Sequence, residues 1–551
     1  MSRLQKFIDD CVYAYSPERG EKRAKARYRK EFTDKVAEVA RLKLDRKRRE
    51  YASGGGFQSA ENSTDAHSWM TSDLSPDSDL EQDRPTMIKR ADSAYKNYEL
   101  ATAHVEGRVI RVVGCGFTVQ PELDHEELGV TEEAVDELNR TLRKAWDRLT
   151  ERIGRNGEWL YEIQQQMQRY WERRGEFFLL FGDEDDPLAP VSCKVECVHP
   201  DRVSTPPGKA GDPFVRMGIQ LDKNGKGIGC FVQDSHPGDS MDIKQTWTYY
   251  EFTAPNGLPR MLHHFDRRDS RQHRGYPRMQ VGTKQLKNTE EYVEAETERN
   301  YVGACMAAFV HTEMPEDQAM MATGAVEDSS GKRIRDIQPS MIHYMGQADS
   351  VTLSNPTGAP ASFKDFIEVA DRKFAAACGT PYEMLTGDWS GLAYNAARII
   401  WNMDEAAVDV LQMGHFKAVQ AMYQHFVTRM VVTGQFAIDA AEYRSQPWIY
   451  WACRVIPPAR ASIDPAREDR NDLVNVAGRV IPHSLVVERK NGEPYDNVLR
   501  RIARDEKTLA KYGLQIQVAG MGDDGSEGPT QPGDTNQKSS DANTERQTVG
   551  A

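Results

Sequence analysis

Three long helical segments near the middle of the chain most constrain its fold. They run from about Arg278 to Val310, from Ser362 to Cys378 and from about Ala393 to Thr433. The third would span roughly 60 Å at 1.5 Å per residue. Helices of this length extend beyond an ordinary globular core. The sequence therefore favours an assembly in which helices pack between subunits.

The first two segments differ in their apolar pattern. The second has apolar residues at the spacing of a single helix face, which predicts one packed side: Phe363, Phe366, Ile367, Ala370, Phe374 and Ala377. The first is polar through its middle, so it needs solvent or neighbours on several sides. About fifty residues interrupted by Pro, Gly and Ser separate the first two segments, and a short loop, Gly379 to Leu392, separates the last two.

The rest of the chain predicts an α+β protein with several domains. Residues 1–85 read as a basic and polar arm, with an ordered domain beginning near Pro85. Helices are predicted over 88–113, 131–149 and 158–174, and strands follow between 176 and 265. The Asn224-Gly225 step predicts a hairpin, and the lack of strand–helix alternation argues against a parallel Rossmann sheet.

The charge balance narrows the class of protein. The 551 residues carry a formal net charge of −13 and a pI near 5.6. This argues against a surface that grips nucleic acid everywhere, but it does not exclude a protein that surrounds DNA and lets it slide. Without an apolar run of eighteen residues or a signal-peptide pattern, we expect a cytosolic chain with no membrane span.

Motifs for catalysis are weak. The phosphate-binding signature G-x-x-x-x-G-K-[ST] and the nucleophile elbow G-x-S-x-G are absent. Asp183, Asp185 and Asp186 follow a strand, where a two-metal nuclease could place carboxylates, but a solvated turn is favoured. His263-His264 and His311 lack a recognised metal-binding spacing. We predict no catalytic residue, cofactor or metal.

A basic cluster lies in the insertion between the first two long helices. It contains Lys332, Arg333 and Arg335. In a monomer it would be an ordinary exposed patch, whereas repeated around a ring it would form a positive collar for phosphates or an acidic partner. The sequence leaves both interpretations open.

Several motifs between about 88 and 515 together resemble the lambda type of portal proteins from tailed bacteriophages. The most specific are Cys378-Gly-Thr-Pro-Tyr-Glu-Met-Leu-Thr-Gly-Asp388 and Tyr394-Asn-Ala-Ala-Arg398, with weaker ones at Gly175-Glu-Phe-Phe178, His199-Pro-Asp-Arg202 and Arg274-Gly-Tyr-Pro277. The chain departs from the family at Tyr98, where a second Asn is usual, and at Asn395 and Ala396, where Ser is common.

The resemblance implies a portal fold assembled as a ring of about twelve subunits at one capsid vertex. Its regions would be a wing over 86–277, a stem helix over 278–310, a clip over 311–361, a second stem helix over 362–378, a tunnel loop over 379–395, a long helix with a wing return over 396–462, crown helices over 463–515 and a disordered tail over 516–551. The wing and clip would mix helix and strand, and the stem and crown would be helical.

The resemblance also implies partners and sites. Double-stranded DNA would pass the tunnel loop, where the residues facing it would be Thr386, Asp388, Trp389, Ser390, Leu392 and Asn395. The clip, with Lys332, Arg333 and Arg335, would dock the packaging motor. Protein partners would be the terminase large subunit, the major capsid or scaffolding protein, and head-completion or tail adaptor proteins. The protein would reside in the virion and, during assembly, in the host cytoplasm.

Two other functions remain open from the sequence. One is a metal-dependent DNA-processing nuclease that uses Asp183, Asp185 and Asp186. The other is a different ring-forming structural protein of the phage head or tail. Packing of Trp389 into the wing is as consistent with the sequence as exposure of this residue in the loop.

Overall fold

The computed structural model describes residues 16, 74–239, 245–304, 309–311, 343–345, 363–436, 438, 440–460 and 463–512. The chain divides into two compact units, residues 1–82 and 83–551. In the first unit the described part is Ser16 and residues 74–82. The second unit contains the sheets, the long helices and the C-terminal helices described below.

Helices dominate the described chain. They are α1 (Pro76–Asn97), α2 (Glu99–Val112), α3 (His125–Leu128), α4 (Glu132–Thr150), α5 (Leu160–Arg174), α6 (Gln280–Ala304), α7 (Phe363–Cys378), α8 (Tyr382–Thr386), α9 (Tyr394–Val432), α10 (Ala440–Ser445), α11 (Pro447–Tyr450), α12 (Pro465–Ala477), α13 (His483–Asn491) and α14 (Tyr495–Lys511).

Within the described residues, the strands form four small sheets. They are β1 (Thr118–Pro121), β2 (Glu176–Gly182), β3 (Lys194–Val198), β4 (Val215–Arg216), β5 (Ile219–Leu221), β6 (Gly227–Gln233), β7 (Trp247–Glu251), β8 (Met261–Phe265), β9 (Phe309–His311), β10 (His343–Met345) and β11 (Cys453–Ile456). The sheet orders are β3-β2-β8, β4-β5-β6-β7, β1-β11 and β9-β10, and only the last pair is parallel.

Strand β2 lies between two apolar layers. Successive side chains of a strand point to opposite faces, so a strand covered on both faces can be apolar throughout. Phe177 and Leu179 join the core shared with the helices, whereas Phe178 and Leu180 join the core shared with the four-stranded sheet. The predicted α+β class is therefore confirmed for this region, and the run Phe177 to Phe181 is apolar because it is covered on both sides.

The predicted hairpin at Asn224-Gly225 is present between β5 and β6. The Asp222 carboxylate accepts hydrogen bonds from the backbone N–H groups of Asn224 and Lys226, each at 2.8 Å. Gly225 has a φ of +80°, in the left-handed region that glycine tolerates at little cost. The turn chemistry thus sets the connection that the sequence predicted.

The first two long helical segments pack against each other as α6 and α7. Gly282 lies against the ring of Phe374, where an added Cβ would stand 2.7 Å from the ring. Further along, Tyr292 and Phe366 meet edge to face with ring centroids 4.9 Å apart. The small residue allows close approach of the two helices at this point, and the aromatic pair adds a contact further along.

Helix α9 confirms the third long segment, with 39 residues. Its second half is buried in the main core, where Trp146 contacts Tyr423 and Phe426 at ring-centroid distances of 5.5 and 5.4 Å. Its first half leaves several large apolar side chains exposed, among them Met403 and Val410. The apolar side chains of the second half are covered by the chain itself, whereas several in the first half are left exposed.

Several predicted boundaries were wrong. The first long segment ends its helix at Ala304, and Phe309–His311 is a strand, so backbone pairing with β10 overrides the helical pattern there. Order begins before Pro85, which lies inside α1; this helix starts with Pro76 at its first position and two acidic residues in its first turn. The loop after Cys378 contains one helical turn, α8, that ends at Gly387 in the left-handed conformation.

Candidate functional site

The segment between α7 and α9 presents an exposed loop that contains the predicted tunnel-loop residues. Asp388, Trp389, Ser390 and Asn395 are exposed; Thr386 and Leu392 are half-buried. Trp389 keeps 38% of its surface accessible, so its own chain covers this side chain only in part. These residues lie in one short segment, from the end of α8 to the start of α9.

Local hydrogen bonds shape this loop. The Thr386 hydroxyl donates to the carbonyl of Tyr382 at 2.9 Å and accepts from the backbone N–H of Asp388 at 3.2 Å. The Asp388 carboxylate accepts from the backbone N–H of Ser390 at 3.0 Å. Hydrogen bonding by Ser390 lowers the pKa of Asp388, so the loop tip carries a negative charge at neutral pH.

An open groove of about 500 Å³ separates this loop from α7. Its walls combine apolar and charged side chains, including Ile367, Asp371 and Leu392. Arg372 lies on the same wall, stacked over the ring of Tyr382 at 4.5 Å and paired with Glu368 at 2.8 Å. The surface beside the loop is therefore mixed in charge rather than a dedicated phosphate cradle.

One buried guanidinium connects the two ends of the loop. Arg108 of α2 donates from Nη2 to the carbonyl of Gly379 at 2.6 Å, and its Nη1 lies 3.0 Å from the carboxylate of Asp404 in α9. Gly379 is the first residue of the loop, and Asp404 lies in α9, after the loop. Arg111, one turn later, contacts Met384 and Glu405, each at 3.0 Å. Helix α2 thus fixes where the loop leaves α7 and where it joins α9.

A second buried group, the Glu172 network, joins the residues next to α6 and α7 to α5. The Glu172 carboxylate lies 3.3 Å from His104 Nε2 and 3.6 Å from Nε of Arg278, just before α6. His104 Nδ1 contacts the hydroxyl of Thr380, just after α7, at 3.0 Å. Burial raises the pKa of Glu172, but its bond with His104 and the charge of Arg278 outweigh burial, and the net pKa is lowered.

A third group, the Glu176 network, anchors the approach to α6. The buried Glu176 carboxylate accepts bonds from Nε and Nη2 of Arg274, at 2.8 and 2.6 Å, and from Arg84. It also contacts His263 Nε2 at 3.0 Å and accepts from the N–H of Gly275 at 2.9 Å. Burial raises its pKa, yet the charges of Arg274 and Arg84 and the bond with His263 hold it well below its usual range.

Two motifs of the sequence meet at this network. A Cβ on Gly175 would lie 1.9 Å from the carbonyl oxygen of Tyr276, and a Cβ on Gly275 would lie 2.1 Å from the carbonyl oxygen of Gly175. The backbones approach closely because both residues are glycine. Sequence reasoning missed these networks. One sequence feature could have indicated them: the charged residue Glu176 follows a glycine and begins an otherwise apolar strand. Arg274 could then have been proposed as its partner of opposite charge.

The carboxylates proposed for a nuclease pair with basic side chains or with a hydroxyl. Asp186 pairs with Lys194 at 2.8 Å and Arg152 at 3.2 Å, and hydrogen bonding with Lys194 holds its pKa far below its usual range. Asp183 lies 3.5 Å from Arg429, and Asp185 accepts from the Ser192 hydroxyl. They form no common metal pocket, so the structure argues against this alternative.

The neighbouring histidines His263 and His264 also have other partners. His263 contacts Glu176, and His264 packs edge to face on Trp171 with ring centroids 4.6 Å apart. Within the described ranges, one set of three ligand-bearing side chains could hold a metal ion: His199, Asp201 and His236. The sequence did not predict this group.

Other predicted features stay outside what the structure describes. Lys332, Arg333 and Arg335 are not among the described residues, so their role in docking remains a prediction. In the described part of the chain, no helix has both the length and the apolar character needed to cross a membrane.

Comparisons with known proteins agree on one family. The family described as phage portal protein, lambda family, matches residues 62–412. The portal protein of Escherichia phage N15 is 24% identical over 377 residues, covering 64% of this chain and 69% of that protein. Portal protein B of Escherichia phage lambda is 22% identical over 459 residues, covering 77% and 84% respectively.

Solved structures give weaker matches. A chain from the virion of a native gene transfer agent particle has a TM-score of 0.36 at 10% identity, covering 79% of this chain and 94% of that one. A chain from the neck of that native particle, computed with C12 symmetry, has a TM-score of 0.34 at 12% identity, covering 73% and 91%. Family membership therefore rests on the sequence matches.

Proposed function

We propose that this chain, which belongs to the lambda family of phage portal proteins, forms a ring of about twelve copies whose axial channel conducts double-stranded DNA during packaging and ejection. Membership of the family makes it a phage portal protein and removes the alternative of another ring-forming structural protein. Our proposal adds the number of copies in the ring, the residues that face DNA and the protein partners.

The observation that carries the proposal is the exposed loop and its support. Asp388 and Trp389 stand at the tip, while Arg108 contacts Gly379 at the start of the loop and Asp404 after it. An element that passes moving DNA needs a stable base and a tip free to adapt. An acidic tip would also repel phosphates, so DNA would slide past it without binding.

Exposed apolar residues support assembly. Ile399, Met403, Val410 and Met413 of α9 each keep 60–71% of their surface accessible. They follow one another at spacings of four, seven and three residues, which places them on one helix face. A continuous apolar patch on a soluble chain marks a contact surface, and in a ring a neighbouring copy would cover it.

The stem helices suit a channel wall. Glu290, Glu294 and Glu298 recur every four residues along α6 and form an acidic stripe. Burial and the neighbouring carboxylates of Glu99, Asp371 and Glu294 raise the pKa of Glu290. Such a stripe would keep a bore from adhering to DNA. The wing would be the outer domain, and the clip, with Lys332, Arg333 and Arg335, would meet the terminase large subunit.

The remaining partners follow from the position of a portal at a capsid vertex. The major capsid or scaffolding protein would hold the ring in the shell. Head-completion or tail adaptor proteins would replace the motor after packaging. The protein acts in the virion, and its assembly would take place in the host cytoplasm. We propose no catalytic residue, because hydrolysis would belong to the motor.

Photo-crosslinking in DNA-filled particles tests the loop directly. A photoreactive amino acid replaces Trp389 in one variant and Trp448, which is 61% exposed and distant in sequence, in the control. We expect crosslinked DNA from position 389 and little from 448. Filled particles with no crosslink at 389, or with equal crosslinks at both positions, would overturn the assignment of the loop to the channel.

A further inference from the structure

The side chains of His199, Asp201 and His236 converge from two separate chain segments. His199 precedes a short 3₁₀ helix, Pro200–Arg202, that contains Asp201, and His236 lies in the turn after β6. His199 Nδ1 and His236 Nε2 each lie 3.8 Å from Oδ2 of Asp201. One ligand atom from each of the three residues lies within 4.8 Å of the others.

From this geometry we infer that the wing contains a binding site for a divalent transition metal, best suited to Zn²⁺. Two imidazoles and one carboxylate are a ligand set that zinc takes with distances of about 2.0–2.2 Å. In a tetrahedral site those distances put ligand atoms about 3.4 Å apart. The two His–Asp separations of 3.8 Å must therefore close by about 0.4 Å. The separation between the two imidazoles, which is within 4.8 Å, must close by up to about 1.4 Å. Mg²⁺ and Ca²⁺ prefer oxygen ligands and fit poorly.

The surroundings resemble the outer shell of a metal site. Arg174 Nη2 lies 3.1 Å from Oδ2 of Asp201, as ligating carboxylates usually have a partner in the outer shell. Asp92 pairs with the same guanidinium and offsets its charge. The ring of Tyr170 meets that of His199 edge to face at 5.0 Å between centroids, which restricts the imidazole.

Binding has a cost that limits its strength. In the metal-free chain the backbone N–H of Asp201 donates to His199 Nδ1 at 3.2 Å, and that of Gly238 donates to His236 Nδ1 at 3.0 Å. Coordination through His199 Nδ1 replaces the first bond. Coordination through His236 Nε2 moves that ring's proton to Nδ1 and breaks the second. We therefore expect weaker binding than in a preformed structural zinc site.

The position of the site gives it a structural role. His199 directly follows β3 of the three-stranded sheet, whereas His236 follows β6 of the four-stranded sheet. A metal held by both would fasten the two sheets of the wing to each other. It leaves a fourth coordination position for water or for a ligand from another molecule.

The test measures metal binding by the full-length protein after treatment with a chelator and dialysis. ZnCl₂ is titrated in by calorimetry, bound zinc is counted by elemental analysis, and the melting midpoint is followed with and without metal. We expect one Zn²⁺ per chain and a midpoint that rises by a few degrees at about 100 times Kd. MgCl₂ should produce no rise.

Variants of the ligand residues test whether zinc binds at this site. His236→Ala should weaken zinc binding at least tenfold and remove the rise in midpoint. His125→Ala is the matched control, because His125 is an exposed histidine beside one carboxylate, Asp124, at 3.6 Å; it should bind like the wild type. His199→Gln provides a second ligand loss if His236→Ala misfolds. Absence of stoichiometric zinc, or equal affinity in His236→Ala and wild type, would refute the site.

Discussion

Replacement of Glu176 by glutamine should destabilise the wing by an amount that the structure allows us to estimate. Glu176 is fully buried and compensates the guanidinium groups of Arg84 and Arg274. Glutamine keeps the shape but not the charge, so two buried cations lose their counterion. Loss of one partner from a buried ion pair costs about 3–5 kcal/mol. Because glutamine still accepts one hydrogen bond, we expect about 3 kcal/mol for Glu176→Gln.

Urea unfolding at a fixed chain concentration measures this loss, since ring assembly would make stability depend on concentration. The control is Glu137→Gln, which removes an exposed pair with Arg140 at 2.7 Å and should change stability by less than about 1 kcal/mol. Glu176→Gln with Arg84→Met should cost less than the two single changes summed. If Glu176→Gln unfolds within about 1 kcal/mol of wild type, the network does not anchor the stem.

The other predictions concern packing, pH and the loop. Gly275→Ala should cost about 1–3 kcal/mol through its clash with Gly175, whereas Gly107→Ala, a helical site with nothing within 4 Å, should gain about 0.5–1 kcal/mol in urea unfolding. Burial lowers the pKa of the His415 imidazole from 6.5 to about 3. As the pH falls below 6.5, the unfolded chain is protonated at this imidazole before the folded chain is. The free energy of unfolding therefore decreases from pH 6.5 down to about pH 3. His415→Gln should flatten that part of a stability–pH profile, and an unchanged profile would contradict the assignment. Arg108→Lys should speed amide exchange in residues 380–393, and exchange equal to wild type would show that the bridge does not hold the loop.

The sequence predicted helices and turns that depend on local patterns better than helix boundaries that depend on tertiary packing. The second and third long helices, Thr131 as the start of α4 and the Asn224-Gly225 turn were all found, because each depends on periodicity or local side-chain chemistry. Pro85 misled the prediction, since proline usually marks a helix boundary. Tertiary context placed it inside α1.

The sequence grouped the residues of the loop but not the residues that support it. Trp389 and its neighbours could be placed in one exposed loop because they are contiguous in the chain. The supports beneath it could not, because Arg108 and Asp404 are 296 positions apart and Glu176 and Arg274 are 98 apart. A single sequence does not reveal which charges pair at such separations. The His199 and His236 pair was missed for the same reason.

Electron microscopy of the purified protein tests the central claim most directly. The account predicts closed rings of about twelve copies with an axial opening wide enough for a DNA duplex. Monomers or small closed oligomers across a range of salt and protein concentrations would contradict it, as would rings whose centre is filled.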